Sequence, residues 1–219
     1  EYFIAIAGSF SMGEMHLYSD ADIIVVVDEI GKHPEAEANF LQLLARVREE
    51  LSPLGVDCRL RPEGKSAQLV WDINAYESYF GKRIATWELQ SLTKISFLHG
   101  NESLFGRFMK LFANKVAVLD HETLRKDIFE MRKKLYPVSL SSLSSLTDFI
   151  KGRGGTTDIE FITQYLVLLD SEKIKFLAGK GNRECLRLNE RRLIRLRRTE
   201  SLKAEDASVL LEGFSFLRR

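Results

Sequence analysis

Asp20 and Asp22 are separated by one residue and stand at the mouth of the most strand-like run in the chain, Ile23-Ile-Val-Val-Val27. Residues two apart on a strand point to the same face, so the two carboxylates aim at one spot. Held a few ångströms apart they repel, and one would protonate unless a cation lay between them. An all-oxygen donor set of this kind suits Mg²⁺ or Mn²⁺. A third carboxylate, Asp57, sits in the alternating run Val56-Asp-Cys-Arg-Leu-Arg61. That pattern puts Asp57, Arg59 and Arg61 on one face and Val56, Cys58 and Leu60 on the other. Guanidinium forks match phosphate oxygens. Gly8-Ser9 and Gly13-Glu14 lie in the segment before Asp20, where glycine lets backbone N–H groups approach a triphosphate closely. Together these residues describe a two-metal phosphoryl-transfer site. Each alone is weak. A lone D-x-D is usually a solvated turn, and Asp57 beside Arg59 is by itself a surface ion pair worth roughly 0–1 kcal/mol. Their joint order and spacing favour the catalytic reading.

The elements that must hold these residues can be read from periodicity. Tyr2–Ala7 reads as a buried strand, Gly8–Ser19 as a loop, and Ile23–Val27 as a central strand. Glu35–Leu51 has Phe40, Leu44, Val47 and Leu51 at helical spacing after Pro34. Val56–Leu60 alternates as a strand, and Leu69-Val70-Trp71 reads as another. The order β, β, α, β, β implies a small mixed sheet with a helix on one face. Beyond Asn74 no strand is expected. Trp87–Leu98 reads as a helix with Leu92 and Ile95 inward, and Asp120 caps a helix carrying Leu124, Ile128, Met131 and Leu135. Pro137 ends it, and the Ser/Leu-rich run Ser139–Leu146 reads as a linker. Asp158–Leu169, apolar on most sides, is a buried helix. Two further helices are expected near Asn182–Arg198 and Lys203–Leu217. The fold class is therefore α+β: a small mixed β-sheet domain over residues 1–100, followed by an α-helical bundle domain over 101–219.

Composition narrows the class without choosing within it. The 219 residues are 45% hydrophobic and 29% charged, with a formal net charge of +1, so bulk charge does not point to nucleic acid. The two cysteines, Cys58 and Cys185, form no metal-spaced pair, and reduced thiols in a cytoplasmic protein are the expectation. No apolar run approaches the roughly 20 residues a membrane span needs, and no signal peptide opens the chain. The first residue is Glu1 rather than Met, which suggests part of a longer protein.

The quoted residues also carry a resemblance. Gly8-Ser-Phe-Ser-Met-Gly-Glu-Met-His-Leu-Tyr-Ser-Asp-Ala-Asp22 resembles the G-S-x-x-x-G-E…S-D-x-D signature of DNA polymerase β-like nucleotidyltransferases. Val56-Asp-Cys-Arg-Leu-Arg-Pro62 resembles the V-D-x-R-L-R-P motif of glutamine synthetase adenylyltransferases. Thr86-Trp-Glu-Leu-Gln-Ser-Leu92 and the Gly154-Gly-Thr-Thr-Asp-Ile-Glu-Phe segment are similar to two more of their motifs, in the same order. The wording is closer to the C-terminal, adenylylating half of the bifunctional enzymes. The resemblance implies a nucleotidyltransferase domain followed by a helical one, transfer of AMP from ATP to a tyrosine of glutamine synthetase, Mg²⁺ as cofactor, and regulation by PII signalling protein. Carried over by position, Asp20, Asp22 and Asp57 become the metal carboxylates, and Gly8, Ser9, Arg59 and Arg61 contact the nucleotide. The chain departs from the family in having Ser11-Met12 where a Gly-Gly pair is usual.

Asp158 and Glu160 open the buried helix behind Gly154-Gly155. Two readings stand for them: orienting active-site arginines across an interface, or favouring a helix N-terminus electrostatically. The seven arginines between Arg183 and Arg198 read more readily as a solvated helix face among core leucines than as a nucleic-acid patch.

Overall fold

The computed structural model describes residues 1–16, 19–58, 60, 62, 68–136, 148–170 and 189–218. The expected Ser139–Leu146 linker, Cys185, Arg59 and Arg61 lie outside them.

Strand β1 (Tyr2–Ala7) runs antiparallel to β2 (Ala21–Val27), with Ala7 opposite Asp22. The edge of β2 away from β1 is shared. At its start it pairs in parallel with β3 (Val56–Asp57), and at its end in parallel with β4 (Trp71–Asp72). The far side of β1 pairs antiparallel with β5 (Ser96–Gly100). The result is a five-stranded mixed sheet with β2 enclosed on both edges. A parallel pairing of β2 with β3 demands a crossover, and α2 (Ala36–Glu50) supplies it.

Because β2 is central, its β-branched residues are buried on both faces. Ile23, Val25 and Val27 pack with Ala36, Phe40 and Leu44 of α2. Ile24 and Val26, with Phe3 and Ala5, pack under α3 (Ile73–Lys82), α4 (Thr86–Leu92) and α5 (Glu102–Ala117). Leu124 and Ile128 of α6 (His121–Leu135) and Val167 and Leu168 of α7 (Thr156–Leu168) complete that second cluster. A separate small core joins Ile159 to Leu193 of α8 (Asn189–Arg198) and Phe214 of α9 (Ala204–Leu217). Helix starts are marked as the residue types require. The side chains of Asp72, Asn101 and Asp120 each accept from a backbone N–H three residues on.

Several sequence expectations need correction. Gly8–Met12 is not loop but a five-residue helix, α1, which follows β1 directly. It stops at Gly13, whose left-handed φ of 66° lets Gly13 and Glu14 N–H groups bond back to Phe10 and Ser9. The helix read over Trp87–Leu98 ends at Leu92, and Ser96–Gly100 is a strand, although none was expected past Asn74. The open edge of β1 offers unpaired backbone groups, and that tertiary demand overrides local helical spacing. Helices cover both faces of the sheet rather than one. The alternation read through Leu60 holds only to Cys58. Val56 and Cys58 pack on the α2 side, while Leu60 packs on the opposite cluster. The last strand is Trp71–Asp72 rather than Leu69–Trp71; Leu69 and Val70 instead donate their N–H groups to the Glu37 carboxylate of α2 at 2.7 and 2.8 Å.

Candidate active site

The start of β2 sets two of the expected carboxylates on neighbouring strands. Asp22 lies in register with Asp57 on the parallel neighbour β3, and Ala21 with Val56. Register partners present their side chains to the same face of strands about 4.8 Å apart. The Ala21 N–H donates to the Gly55 carbonyl at 2.7 Å, which continues the pairing one residue below the strand proper.

Two glycines make room for two of these side chains. A Cβ on Gly8, at the end of β1, would fall 2.0 Å from Asp22 Oδ2. A Cβ on Gly55 would fall 2.0 Å from Asp20 Oδ1. Gly55 is two residues before Asp57, so the Asp20 carboxylate lies over the same face. Asp20 is exposed, and Asp22 and Asp57 are half-buried. Ser9 sits half-buried in the first turn of α1, beside the Gly8–Asp22 contact.

A family profile for glutamate-ammonia ligase adenylyltransferase matches residues 3–110, which contain all of these groups. A bifunctional glutamine synthetase adenylyltransferase/adenylyl-removing enzyme of Neisseria meningitidis is 32% identical over 189 residues, 81% of this chain and 20% of that protein. The protein of the same description from Idiomarina loihiensis is 29% identical over 98% of this chain and 24% of its own length. That from Shewanella loihica is 41% identical over 53% of this chain. This chain belongs to the glutamate-ammonia ligase adenylyltransferase family. It spans about one fifth of the length of the curated relatives it matches.

The segments that resemble the family's motifs meet one another in space. Gln90 of α4 donates to Gln164 of α7 at 2.6 Å, both buried. Lys94, just past α4, reaches Glu160 of α7 at 3.2 Å. Glu160 therefore holds a lysine near the sheet. Asp158 turns elsewhere: it accepts from Arg132 Nε at 2.5 Å, the Gly154 N–H at 2.6 Å and Tyr136 Oη at 3.3 Å.

The segment that resembles the G-S-x-x-x-G-E signature of DNA polymerase β-like nucleotidyltransferases contributes a further residue, Glu14. Glu14 is only 3% exposed. Its two oxygens accept from the backbone N–H and the Nδ2 of Asn189, each at 2.7 Å, and Arg218 lies 3.7 Å away. Burial raises the Glu14 carboxyl above its ordinary value, and Glu160 adds to that, against the lowering pull of Asn189 and Arg218. Arg192, from the arginine run read as a solvated face, is in fact buried, and its Nη2 donates to the Thr93 carbonyl at 2.5 Å. Burial pulls its guanidinium down to about 10. The visible signal was the acidic residue directly after a helix-ending glycine; Asn189 and Arg192, 175 and more residues later, carried none.

The donor chemistry of Asp20, Asp22 and Asp57 fits a hard divalent cation: carboxylate oxygens only, one face, two hydrogen-bonded strands. Among the described residues no three His, Cys, Asp or Glu side chains already stand close enough to hold a metal ion. A groove of about 560 Å³ opens between α6, α7 and α9, lined by Phe129, Arg132, Ile162 and Val209 among others, and it does not touch the carboxylates. Among the described residues no helix is long and apolar enough to cross a membrane.

Proposed function

We propose that this chain is a nucleotidyltransferase that moves AMP from ATP to a tyrosine hydroxyl of glutamine synthetase. The observation that carries the reading is the register of Asp22 with Asp57, beside an Asp20 carboxylate seated over Gly55. Family membership and the names of the relatives support the acceptor. Asp20, Asp22 and Asp57 would hold Mg²⁺ or Mn²⁺, which when bound neutralises triphosphate charge and favours ionisation of the attacking hydroxyl. Gly8 and Ser9 border the carboxylates from α1, where their backbone can lie against phosphate oxygens. Arg59 and Arg61, outside the described residues, are proposed to contact the same phosphates. PII signalling protein is a proposed regulator.

The test is transfer of labelled AMP from Mg·ATP onto purified glutamine synthetase. Asp20→Asn, Asp22→Asn and Asp57→Asn should each abolish transfer while the protein stays folded by circular dichroism. Retained transfer in any of the three would remove that carboxylate from the site. A second reading has specific support, because the relatives are named as both adenylyltransferases and adenylyl-removing enzymes. In that direction phosphate attacks the AMP–tyrosine bond, releasing ADP and free tyrosine. AMP-modified synthetase incubated with the chain and phosphate, with ADP as readout, separates the two. A nucleotide-sensing role without chemistry would leave Mg·ATP binding intact in calorimetry and both assays silent.

A further inference from the structure

We infer that Glu14 is a positioning residue, through which the C-terminal helices hold the segment that borders the nucleotide. The inference rests on the proposed transferase reading.

α1 has five residues, far fewer than the roughly 12–15 an isolated helix needs to persist in water. Its place is therefore set by what grips its two ends. At the front, Gly8 abuts Asp22. In the middle, the Ser11 hydroxyl faces the carbonyl oxygens of Lys94 and, at 3.0 Å, of Gly8. At the back, Glu14 follows the helix-ending Gly13 and is clamped by both donors of Asn189, at the start of α8. Asn189 is held in turn, with its Oδ1 3.2 Å from Thr163 Oγ1 of α7. The peptides that α1 leans on are fixed from the same side: Arg192 of α8 holds the Thr93 carbonyl, and Glu160 of α7 holds the Lys94 ammonium. The neighbours facing Glu14 are thus Asn189, Arg218, Arg192 and Glu160.

A buried carboxylate costs little when two donors and a cation answer it, and much when they are withdrawn. Without the Asn189 side chain, one Glu14 oxygen loses its donor while the other keeps the backbone N–H; Glu14 then lowers its energy by turning that oxygen towards water, and α1 moves with it. That displaces Gly8 and Ser9 from Asp22. Helices α8 and α9 then act on nucleotide binding without touching the nucleotide.

The test compares Asn189→Ala, Glu14→Gln and the double variant in the full chain. KM for Mg·ATP should rise about tenfold in Asn189→Ala, which removes the Nδ2 donor but leaves the backbone N–H of residue 189 in place, with KM for the acceptor unchanged. Glu14→Gln in the Asn189→Ala background should recover part of the loss, because the buried charge that has lost one of its donors is gone. Hydrogen exchange at the α1 amides should quicken in Asn189→Ala while the amides of β1 and β2 stay protected. A purely structural role would lower the active fraction, leaving KM unmoved and the double variant worse than either single one; that pattern overturns the inference. If Asn189→Ala does not fold, Arg218→Met at the more exposed end is read by the same criteria. A wild-type chain that neither binds Mg·ATP nor transfers AMP would sink the functional reading alone. The exchange measurement would still decide the positioning role.

Discussion

Three glycine-to-alanine substitutions separate the placement of the carboxylates from the strain of the backbone. Gly8 has a φ of +60° and Gly13 a φ of +66°, so alanine at either would be forced into the left-handed region. That costs about 1–2 kcal/mol, or several degrees in melting temperature for a chain of this size. Their surroundings differ. A Cβ on Gly13 meets nothing within 4 Å, whereas a Cβ on Gly8 falls 2.0 Å from Asp22 Oδ2. Gly55 is the complementary case, with no left-handed φ but a Cβ 2.0 Å from Asp20 Oδ1. Contacts shorter than 3.0 Å do not survive, so each carboxylate oxygen must retreat by about 1 Å. A side-chain end can do that cheaply, so the displacement appears in activity rather than stability. A misplacement of about 1 Å in catalytic groups costs roughly a hundredfold in rate. Gly8→Ala should therefore lose about a hundredfold in kcat/KM for AMP transfer and several degrees of melting temperature. Gly55→Ala should lose similar activity with little change in melting, and Gly13→Ala should melt earlier yet turn over near the wild-type rate. Initial rates of labelled AMP transfer, read beside calorimetric melts, make the comparison. If Gly8→Ala and Gly13→Ala lose the same activity, or Gly55→Ala is fully active, the carboxylates at these two positions do not do the chemistry.

Other consequences can be measured separately. Phe108 is fully buried, with ring centroids 5.6 Å from Phe3, 5.0 Å from Tyr76 and 5.6 Å from Phe80; Phe108→Ala should cost about 3–5 kcal/mol in urea denaturation. A single transition is expected, and a second one would mark the proposed division near residue 100 as a boundary between independently folding units. Asp158→Ala takes the carboxylate from the buried Arg132 guanidinium, which keeps the Lys151 and Gly152 carbonyls, and should cost about 3 kcal/mol, while Asp158→Asn, which keeps an acceptor, should cost less. For Glu14 the raised folded-state carboxyl means that, between its ordinary and its folded value, the native chain holds a proton that the unfolded chain has released. Its contribution is fully present below the ordinary value of 4.5 and is lost as pH rises through the folded value. The stability of Glu14→Gln relative to wild type should therefore climb over that window and then level off. A flat difference in melts from pH 4 to pH 8 would contradict the assignment.

What could be read ahead of the structure was what depends on neighbours in sequence. The β-branched run of β2, the Asp120 cap of α6 and the D-x-D spacing are local statements, and each element or cap lies where the sequence placed it. Strand β5 was hidden for a physical reason. Thr86–Leu92 is helical, and Ile95 continues its spacing, so nothing local marks the change at Ser96. The change is imposed by the free edge of β1, which takes Ser96–Gly100 as its partner. The core around Phe108 joins β1, α3 and α5 across more than a hundred residues of sequence, and no window of the chain displays that contact.

The same limit explains which half of the candidate site was legible. Alternation alone puts Asp20 and Asp22 on one face. It says nothing about which strand comes alongside, and the partner of Asp22 is 35 residues later, across the α2 crossover. Parallel neighbours need such a crossover, so the third carboxylate is brought in by the fold rather than by any local motif. The glycines follow from that arrangement. Once β1 and β3 flank β2, the residues beside the leaning Asp22 and Asp20 side chains are Gly8 and Gly55, and any side chain at either would occupy the space of a carboxylate oxygen. A glycine read from sequence as a flexible link to phosphate is, at Gly8, first a steric allowance for Asp22. In the proposed site, that allowance is what lets the Gly8 backbone lie directly beside the Asp22 carboxylate.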